Sequence, residues 1–145
     1  MENRYLFRGK RKDNGEWMFG DLVHSVYKIG DTCIGQYGTG VGMHEVDTET
    51  ICQCTGLKDK NGKLIWEHDI IKCYADTNDL GNDLFAWYEV LWHENYHCWW
   101  LSEIYVEEGE YLHEFCSYDI EVIGTKFDNP ELLEKENRED SCGRK

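Results

Sequence analysis

Zinc-type ligands come closest together in one short segment of the chain, where His93 and His97 are four residues apart and Cys98 follows directly. A structural zinc site needs four converging nitrogen or sulfur ligands, and a catalytic site needs three. No second ligand pair follows at zinc-finger spacing, and the tryptophans around the segment indicate packing. The sequence therefore predicts neither a metal site nor a cofactor. His93, His97 and Cys98 are the residues that would bind a metal if this prediction were wrong.

Carboxylates for acid–base catalysis are the second possibility, and the candidates are Glu67, Asp69 and Asp21. A catalytic carboxylate must reach the proton that it transfers, whereas acidic residues in turns more often accept hydrogen bonds from backbone amides. A nucleophile would need a sharp turn with a histidine nearby. Three serines lack that setting: Ser25, Ser102 and Ser117. We therefore predict that the protein is not an enzyme.

The seven cysteines are the third source of reactive groups. A chain without a secretion signal is expected to keep its thiols reduced, and Cys52 and Cys54 lie too close on one strand face to form a relaxed disulfide. Cysteines with apolar neighbours behave as small core residues. Five cysteines are of this kind: Cys33, Cys54, Cys73, Cys98 and Cys116. Cys142, in the polar tail, is predicted to be the exposed one.

Two asparagine–glycine corners divide the chain into antiparallel strands. Asn61-Gly62 separates two apolar arms, and this residue pair is the one that a type I′ hairpin turn prefers because both central residues need a positive φ. Asn14-Gly15 marks a similar corner earlier in the chain. Each corner is followed by an aspartate before a buried strand, which predicts that Asp21 and Asp69 both accept backbone hydrogen bonds in bends.

Two aromatic-rich strands are predicted over residues 85–92 and 98–106, after a polar loop at 75–83. The more apolar face of the first strand consists of four alternating residues: Ala86, Tyr88, Val90 and Trp92. Six tryptophans exceed what a core of this size can fully bury, which predicts one or two of them on a surface used for contact. The alternative is that the tryptophans fill the core and its ends.

Two short helices are predicted in the last third of the chain. Residues 107–116 place apolar side chains on one side at helical spacing. In the tail, Asn129 is the predicted N-cap and Pro130 the first residue of a helix that runs to about Asn137. Leu132 and Leu133 are its apolar side chains, and so short a helix is not stable alone in water. We therefore predict that Pro130, Leu132 and Leu133 dock on this chain or on another copy of it.

Acidic residues dominate the chain, which has a formal net charge of -14. Residues 66–121 contain fourteen acidic residues and one basic residue, whereas five basic residues cluster at 4–12. An acidic surface repels phosphate, so nucleic acid is disfavoured as a partner and a basic protein is favoured. The alternative is that the charge only keeps the protein in solution. No apolar run approaches the roughly 20 residues of a membrane helix, and we predict a cytoplasmic protein without membrane contact.

Five segments together resemble the YopX family of small proteins, which are encoded mostly in phages and prophages: residues 7–10, 16–22, 46–71, 120–124 and 129–133. The resemblance runs from about Tyr5 to Leu133. It implies a β-rich fold with a partial barrel and a C-terminal tail used in self-association. It implies no activity, because none is established for the family. His68 stands where the family usually has glycine, and Cys52 and Cys54 replace a glycine and an aromatic residue.

The residues and the resemblance together predict a mainly β, multi-sheet domain over residues 1–127, with a partial β-barrel and one or two short helices. A helical tail is predicted over residues 128–145. We interpret the chain as a non-enzymatic binding or self-assembling module that forms homo-oligomers through the tail. The alternative is an acidic decoy that offers a basic host or phage protein carboxylates in place of nucleic-acid phosphates.

Overall fold

The computed structural model describes residues 3–24, 31–35, 42–104 and 108–134. The chain divides into two compact units, Met1–Gly56 and Leu57–Lys145. The described residues form two antiparallel sheets with short 3₁₀ turns between strands, and no helix in them is long and apolar enough to cross a bilayer. The expectation of a mainly β, multi-sheet protein is therefore confirmed.

The first sheet has the strand order β4-β3-β2-β1-β5-β6. Its strands are β1 (Phe7–Lys10), β2 (Trp17–His24), β3 (Thr32–Gly35), β4 (His44–Glu45), β5 (Cys52–Lys58) and β6 (Leu64–Trp66). Ile34 and Val46 are fully buried in the first unit, and a Cβ on Gly9 would come within 3.2 Å of each of them. Gly20 has φ 149° and lies so close to Gly35 that a side chain there would meet the opposite backbone, which requires glycine at this crossing.

The second sheet has the order β10-β9-β8-β7-β11, and all its pairs are antiparallel. Its strands are β7 (Asp69–Thr77), β8 (Asp83–His93), β9 (Cys98–Glu103), β10 (Gly109–Tyr111) and β11 (Ile120–Thr125). Strands β8 and β11 bury alternate residues, Tyr88 and Val90 in one and Ile120 and Val122 in the other, because successive side chains point to opposite faces. The core is built from Ile65, Ile71, Cys73, Tyr88, Val90, Leu101, Leu112, Ile120 and Val122.

The face predicted for β8 is confirmed. Tyr88 and Val90 are buried in this core, and Ala86 packs against it. Trp92, at the end of the same row, is 41% exposed and meets Trp99 edge-to-face at 5.3 Å. The prediction that a tryptophan stays on the surface is thus confirmed for Trp92, while its use in a contact stays a prediction.

The corner at Asn61-Gly62 is a hairpin turn of a different type from the one predicted. Gly62 has φ 78°, and Asn61 is not among the residues with positive φ, so the type I′ prediction is wrong. The Gly62 N–H donates to the Asp59 carbonyl at 3.0 Å, and the Asp59 N–H donates to the Lys63 carbonyl at 2.8 Å. A hairpin turn of this type needs a left-handed conformation at only one residue, which here is Gly62. The Asp59 side chain stabilises the turn by accepting hydrogen bonds from two of its backbone amides.

Neither predicted helix forms as an α-helix. Gly109–Tyr111 is a strand beside β9, and single 3₁₀ turns follow at Leu112–Glu114 and Ser117–Asp119. Pairing with β9 replaces the helix because a helix this short has little stability of its own. The described residues also contain no closed barrel, since both sheets are open with two edge strands each, so the barrel expectation is not supported.

The C-terminal helix is reduced to one 3₁₀ turn, Pro130–Leu133, and Glu134 is already extended. Asn129 does not cap this turn, since its side-chain oxygen accepts the Thr125 N–H at 3.3 Å instead. The remainder of the predicted tail lies outside the described residues. The proline at the start of the turn was predicted correctly, but the helix was not.

The prediction that Asp21 and Asp69 both accept backbone hydrogen bonds in bends is only half correct. Asp69 is fully buried, and its Oδ2 accepts the Trp66 N–H at 2.8 Å in the bend between β6 and β7, as predicted. Asp21, however, lies within β2 with an exposed side chain. The similarity between the two corners therefore does not extend to the aspartates.

Candidate functional site

His93, His97 and Cys98 lie around the hairpin turn between β8 and β9. His97 has φ 52° and donates its N–H to the His93 carbonyl at 2.8 Å, while His93 and Cys98 face each other across the strands. The His93 ring is used in packing: it stacks on Tyr96 at 4.3 Å. Within the described residues, no three His, Cys, Asp or Glu side chains converge as metal ligands would.

The cysteines divide by burial. Cys54 and Cys73 are buried as predicted, Cys33 and Cys98 are half-buried, and Cys116 is exposed, so its assignment to the core is wrong. Burial, assisted by the negative charge of Asp119, raises the pKa of Cys73 to about 12. A thiol in this state is not a nucleophile at neutral pH. Cys142 lies outside the described residues.

Asp59 is a buried carboxylate that the sequence reasoning did not single out as functional or structural. It is 4% exposed, its Oδ1 accepts the N–H groups of Asn61 and Lys63 at 2.9 Å each, and its Oδ2 accepts the Val122 N–H at 3.0 Å. Burial raises the pKa of this carboxyl, but the backbone donors outweigh burial and hold the pKa below its ordinary value. The carboxylate thus ties the β5–β6 turn to strand β11. The sequence did contain a signal for this role, an aspartate two residues before Asn-Gly. Aspartate side chains at such positions commonly accept hydrogen bonds from the backbone of the turn.

His68 occupies the two-residue turn between β6 and β7 with φ 62°. A non-glycine residue in this conformation costs about 1–2 kcal/mol, and the surrounding contacts offset that cost. Its N–H donates to the Val90 carbonyl at 2.7 Å, and its carbonyl accepts the Lys126 N–H at 3.1 Å. Its ring nitrogen Nδ1 lies 2.8 Å from Glu89 Oε1, and the ring meets Phe127 edge-to-face at 5.6 Å.

Five rings form what we call the ring cluster: His93, Tyr96, Trp100, Tyr111 and His113. Trp100 is in contact with Tyr111 at 5.2 Å, and Tyr96 lies 5.8 Å from Trp100 and 5.9 Å from Tyr111. His113 lies 5.3 Å from Tyr111, and His93 lies 5.2 Å from Trp100. The cluster therefore extends from the β8–β9 turn across strands β9 and β10.

Two features fix the ring cluster in place. Trp100 and Tyr111 are cross-strand partners on one face of the second sheet, the face opposite to the core. The Trp100 indole lies directly over Gly109, where a Cβ would come within 2.2 Å of it. Tyr96 stays 57% exposed at the turn. The cluster is thus a supported aromatic surface with an open ring at its end.

The segment predicted as a polar loop, 75–83, is an arm. Strand β7 continues to Thr77 and strand β8 begins at Asp83, so the arm is the outer end of the β7–β8 hairpin. The register of the two strands shifts by one residue between Tyr74 and Asp76. Asn78 orders the tip, since its Oδ1 accepts the N–H groups of Leu80 and Asn82. Leu80, at the tip, is 84% exposed. Alternation across the strands was weak here because both faces of the arm are exposed.

The sequence model of the YopX protein family matches residues 6–134, which is nearly the whole chain. The chain belongs to the YopX family. A similar solved structure is that of protein EF1440 from Enterococcus faecalis, with 24% identity and a TM-score of 0.50, covering 88% of this chain and 96% of that one. None of the curated proteins matches the chain.

Membership of the YopX family confirms the resemblance seen in the sequence, and the likeness to EF1440 supports the fold alone. Position 68, for which the resemblance led us to expect glycine, is a left-handed turn position, and glycine adopts this conformation most readily. Leu132 and Leu133, proposed for self-association, are half-buried in the Pro130–Leu133 turn.

Proposed function

We propose that this YopX-family chain is a non-enzymatic binding module of phage or prophage origin, with the ring cluster as its contact surface. The observation that carries this proposal is the exposed Tyr96 ring, which is packed against supported aromatic neighbours. Aromatic anchors that are held rigid contribute most of the energy of protein interfaces.

The use of the buried carboxylates supports a non-enzymatic role. Asp59 and Asp69 both accept hydrogen bonds from backbone amides, so they stabilise turns. The thiol of Cys73 has a pKa raised to about 12 by burial, which leaves it unreactive. Among these groups the polar contacts serve the fold, whereas the Tyr96 ring stays 57% exposed.

The test is affinity capture of binding partners with tagged protein from a bacterial lysate. Tyr96→Ala removes the open ring of the cluster, and Tyr118→Ala is the matched control, since Tyr118 is 78% exposed and makes no ring contact with another described residue. We expect a captured protein to be retained by the wild type and by Tyr118→Ala and lost from Tyr96→Ala. Equal capture by both variants would remove the ring cluster from the proposal.

Self-association through the tail is the second part of the proposal. It rests on the resemblance and on the apolar pair Leu132 and Leu133, which follows Pro130. The number of chains per particle, measured by light scattering, should fall when the chain is truncated after Phe127. An unchanged number of chains in the truncated protein would contradict this role of the tail.

One observation favours the decoy as a second candidate function. Four carboxylates crowd around strand β10, and the pKa of Glu110 is raised by partial burial, by a hydrogen bond with Glu114 and by the charges of Glu114, Glu103 and Glu108. Such a cluster offers negative charge in the way that a row of phosphates does. If the captured protein binds nucleic acid, duplex DNA should displace it from this chain; a complex that resists displacement would exclude the decoy.

A further inference from the structure

The second sheet ends in two edge strands, and one of them, β11, is covered by a neighbouring turn. The carbonyl of Ile120 accepts the Lys60 N–H at 3.0 Å, and the Val122 N–H donates to Asp59 Oδ2 at 3.0 Å. A strand edge presents a row of donors and acceptors that pair with another chain unless something covers them. The β11 edge is therefore closed to a further strand.

The other edge strand, β10, directs backbone groups away from the sheet. The Glu103 N–H donates to the Glu108 carbonyl at 3.1 Å, so these two opposite residues form a hydrogen-bonded pair. Bonded and non-bonded pairs alternate along an antiparallel ladder. Gly109 and Tyr111 are one and three positions further along the register with β9, which places both in non-bonded pairs. Their backbone groups therefore point to the outer side of β10.

Three of these outer groups are available to a partner: the N–H and the carbonyl of Gly109 and the N–H of Tyr111. The Tyr111 carbonyl is used within the chain, since Tyr111 is the N-cap residue of the 3₁₀ turn Leu112–Glu114. Among the described residues, no other group bonds the three that remain. Gly109 also has no side chain that could shield them. The β10 edge is thus open to a strand.

The open edge is acidic on the face of the sheet that carries the core. Glu108 and Glu110 flank Gly109, so their side chains point to the face opposite to the ring cluster, and both are exposed. Partial burial, a hydrogen bond with Glu114 and the neighbouring carboxylates raise the pKa of Glu110. Residues 73–125 contain twelve acidic residues and no lysine or arginine, so this segment supplies no basic side chain to balance them.

We propose that the edge of β10 binds an extended basic segment of another protein, which joins the second sheet as a sixth strand. In an added strand, the side chain opposite Glu110 lies on the same face as Glu110 itself, and a lysine or arginine there stabilises the pairing. The inference goes beyond the proposed function, because it requires the backbone of β10 and not the Tyr96 ring.

The probe is a nine-residue peptide that alternates lysine with threonine, titrated into the isotopically labelled full chain at physiological salt and followed by amide NMR. We expect the largest shifts at the Gly109 and Tyr111 amides, which gain hydrogen bonds. A peptide with glutamate in place of lysine should not bind. Two further peptides carry backbone N-methyl groups, one at every threonine and one at every lysine. Only alternate residues of an added strand direct their N–H groups to the edge, so one methylated peptide should retain binding and the other should lose it.

Tyr111→Pro tests the same pairing from the protein side. The substitution removes the Tyr111 N–H, and proline fits this position because Tyr111 has φ -77° and its N–H points away from β9. The control is Tyr111→Ala, which loses the same ring and keeps the N–H. We expect Tyr111→Pro to bind the lysine peptide about twofold to tenfold more weakly than Tyr111→Ala. Glu110→Gln should weaken binding by about twofold to fivefold, whereas Asp79→Asn, at the exposed tip of the arm, should keep the wild-type affinity.

Three results would overturn the inference: no shift of the Gly109 and Tyr111 amides with the lysine peptide, equal affinity of the two methylated peptides, or equal affinity of Tyr111→Pro and Tyr111→Ala. Circular dichroism verifies the fold of each variant, and the methylated peptides give the same test on the wild type. If the two amides shift with protein concentration alone and the particle mass doubles, the edge pairs with a second copy of this chain, and the inference of a basic partner fails.

Discussion

Replacing Asp59 by alanine tests how the second unit is held together. The change leaves the backbone N–H groups of Asn61, Lys63 and Val122 without their carboxylate acceptor. A bond to a charged acceptor contributes about 1.5–3 kcal/mol. The Val122 bond is buried, and its loss should cost about 2 kcal/mol. The two turn amides are partly exposed and regain water, which leaves about 0.5 kcal/mol each.

The expected loss for Asp59→Ala is therefore about 3 kcal/mol, or roughly a hundredfold in the unfolding equilibrium. Urea unfolding at pH 7, followed by tryptophan fluorescence, should show a midpoint lower by about 1.5 M if the slope is about 2 kcal/mol per M. Hydrogen exchange of the Val122 backbone amide should also become faster in Asp59→Ala. The control is Asp79→Ala, an exposed carboxylate at the tip of the arm, which should change stability by less than about 0.5 kcal/mol.

The pH dependence gives an independent check, because the pKa of Asp59 is lowered in the folded protein. Its stabilising effect is then complete above the unfolded pKa of about 3.9 and disappears as the pH falls through the folded value. Asp59→Asn keeps one side-chain acceptor but cannot ionise, so its stability deficit relative to the wild type should shrink as the pH falls through that range. A loss below about 1 kcal/mol in Asp59→Ala, or a deficit in Asp59→Asn that stays constant down to strong acid, would refute this account.

Three further predictions concern particular contacts. His68→Gly should be more stable than His68→Ala by about 1 kcal/mol in urea unfolding, since both lose the ring contacts but only glycine relieves the left-handed backbone; the reverse order would contradict this. Gly109→Ala should lower stability by about 1–3 kcal/mol and shift the tryptophan emission because the new Cβ displaces Trp100, so unchanged emission would contradict the packing. In native protein at pH 8, iodoacetamide should modify the exposed Cys116 and not Cys73, whose pKa is raised to about 12, as peptide mass mapping can show; modification of both at one rate would contradict the burial of Cys73.

Local pattern was sufficient for several elements of the fold. Alternation along 85–92 identified the face of β8 that is buried, since period-two burial is a direct consequence of strand geometry. The two asparagine–glycine corners were located correctly because glycine is the residue that tolerates a left-handed turn position. His68 was recognised as unusual in its turn, and its positive φ gives the physical reason.

Local pattern failed where pairing across the sheet competed with it. Residues 107–116 have helical spacing, yet Gly109–Tyr111 pairs with β9, because a few residues of helix gain less than a strand that completes a sheet and seats Trp100. The arm was mistaken for a loop because its polar residues suggested solvent and not strand pairing. The turn type at Asn61-Gly62 was decided by the Asp59 carboxylate, which has to reach Val122 on a strand far along the chain.

By itself, the sequence determined the β class of this protein, its buried rows and its acid-rich, lysine- and arginine-free middle segment, because these follow from composition and from the alternation of side chains. Only the tertiary structure decided which rings meet. Tyr96, Trp100 and Tyr111 are separated along the chain, and they become one surface because the antiparallel register of β9 and β10 sets Trp100 opposite Tyr111 and the β8–β9 turn brings Tyr96 beside them. Contacts of this kind depend on strand register, which no single segment encodes.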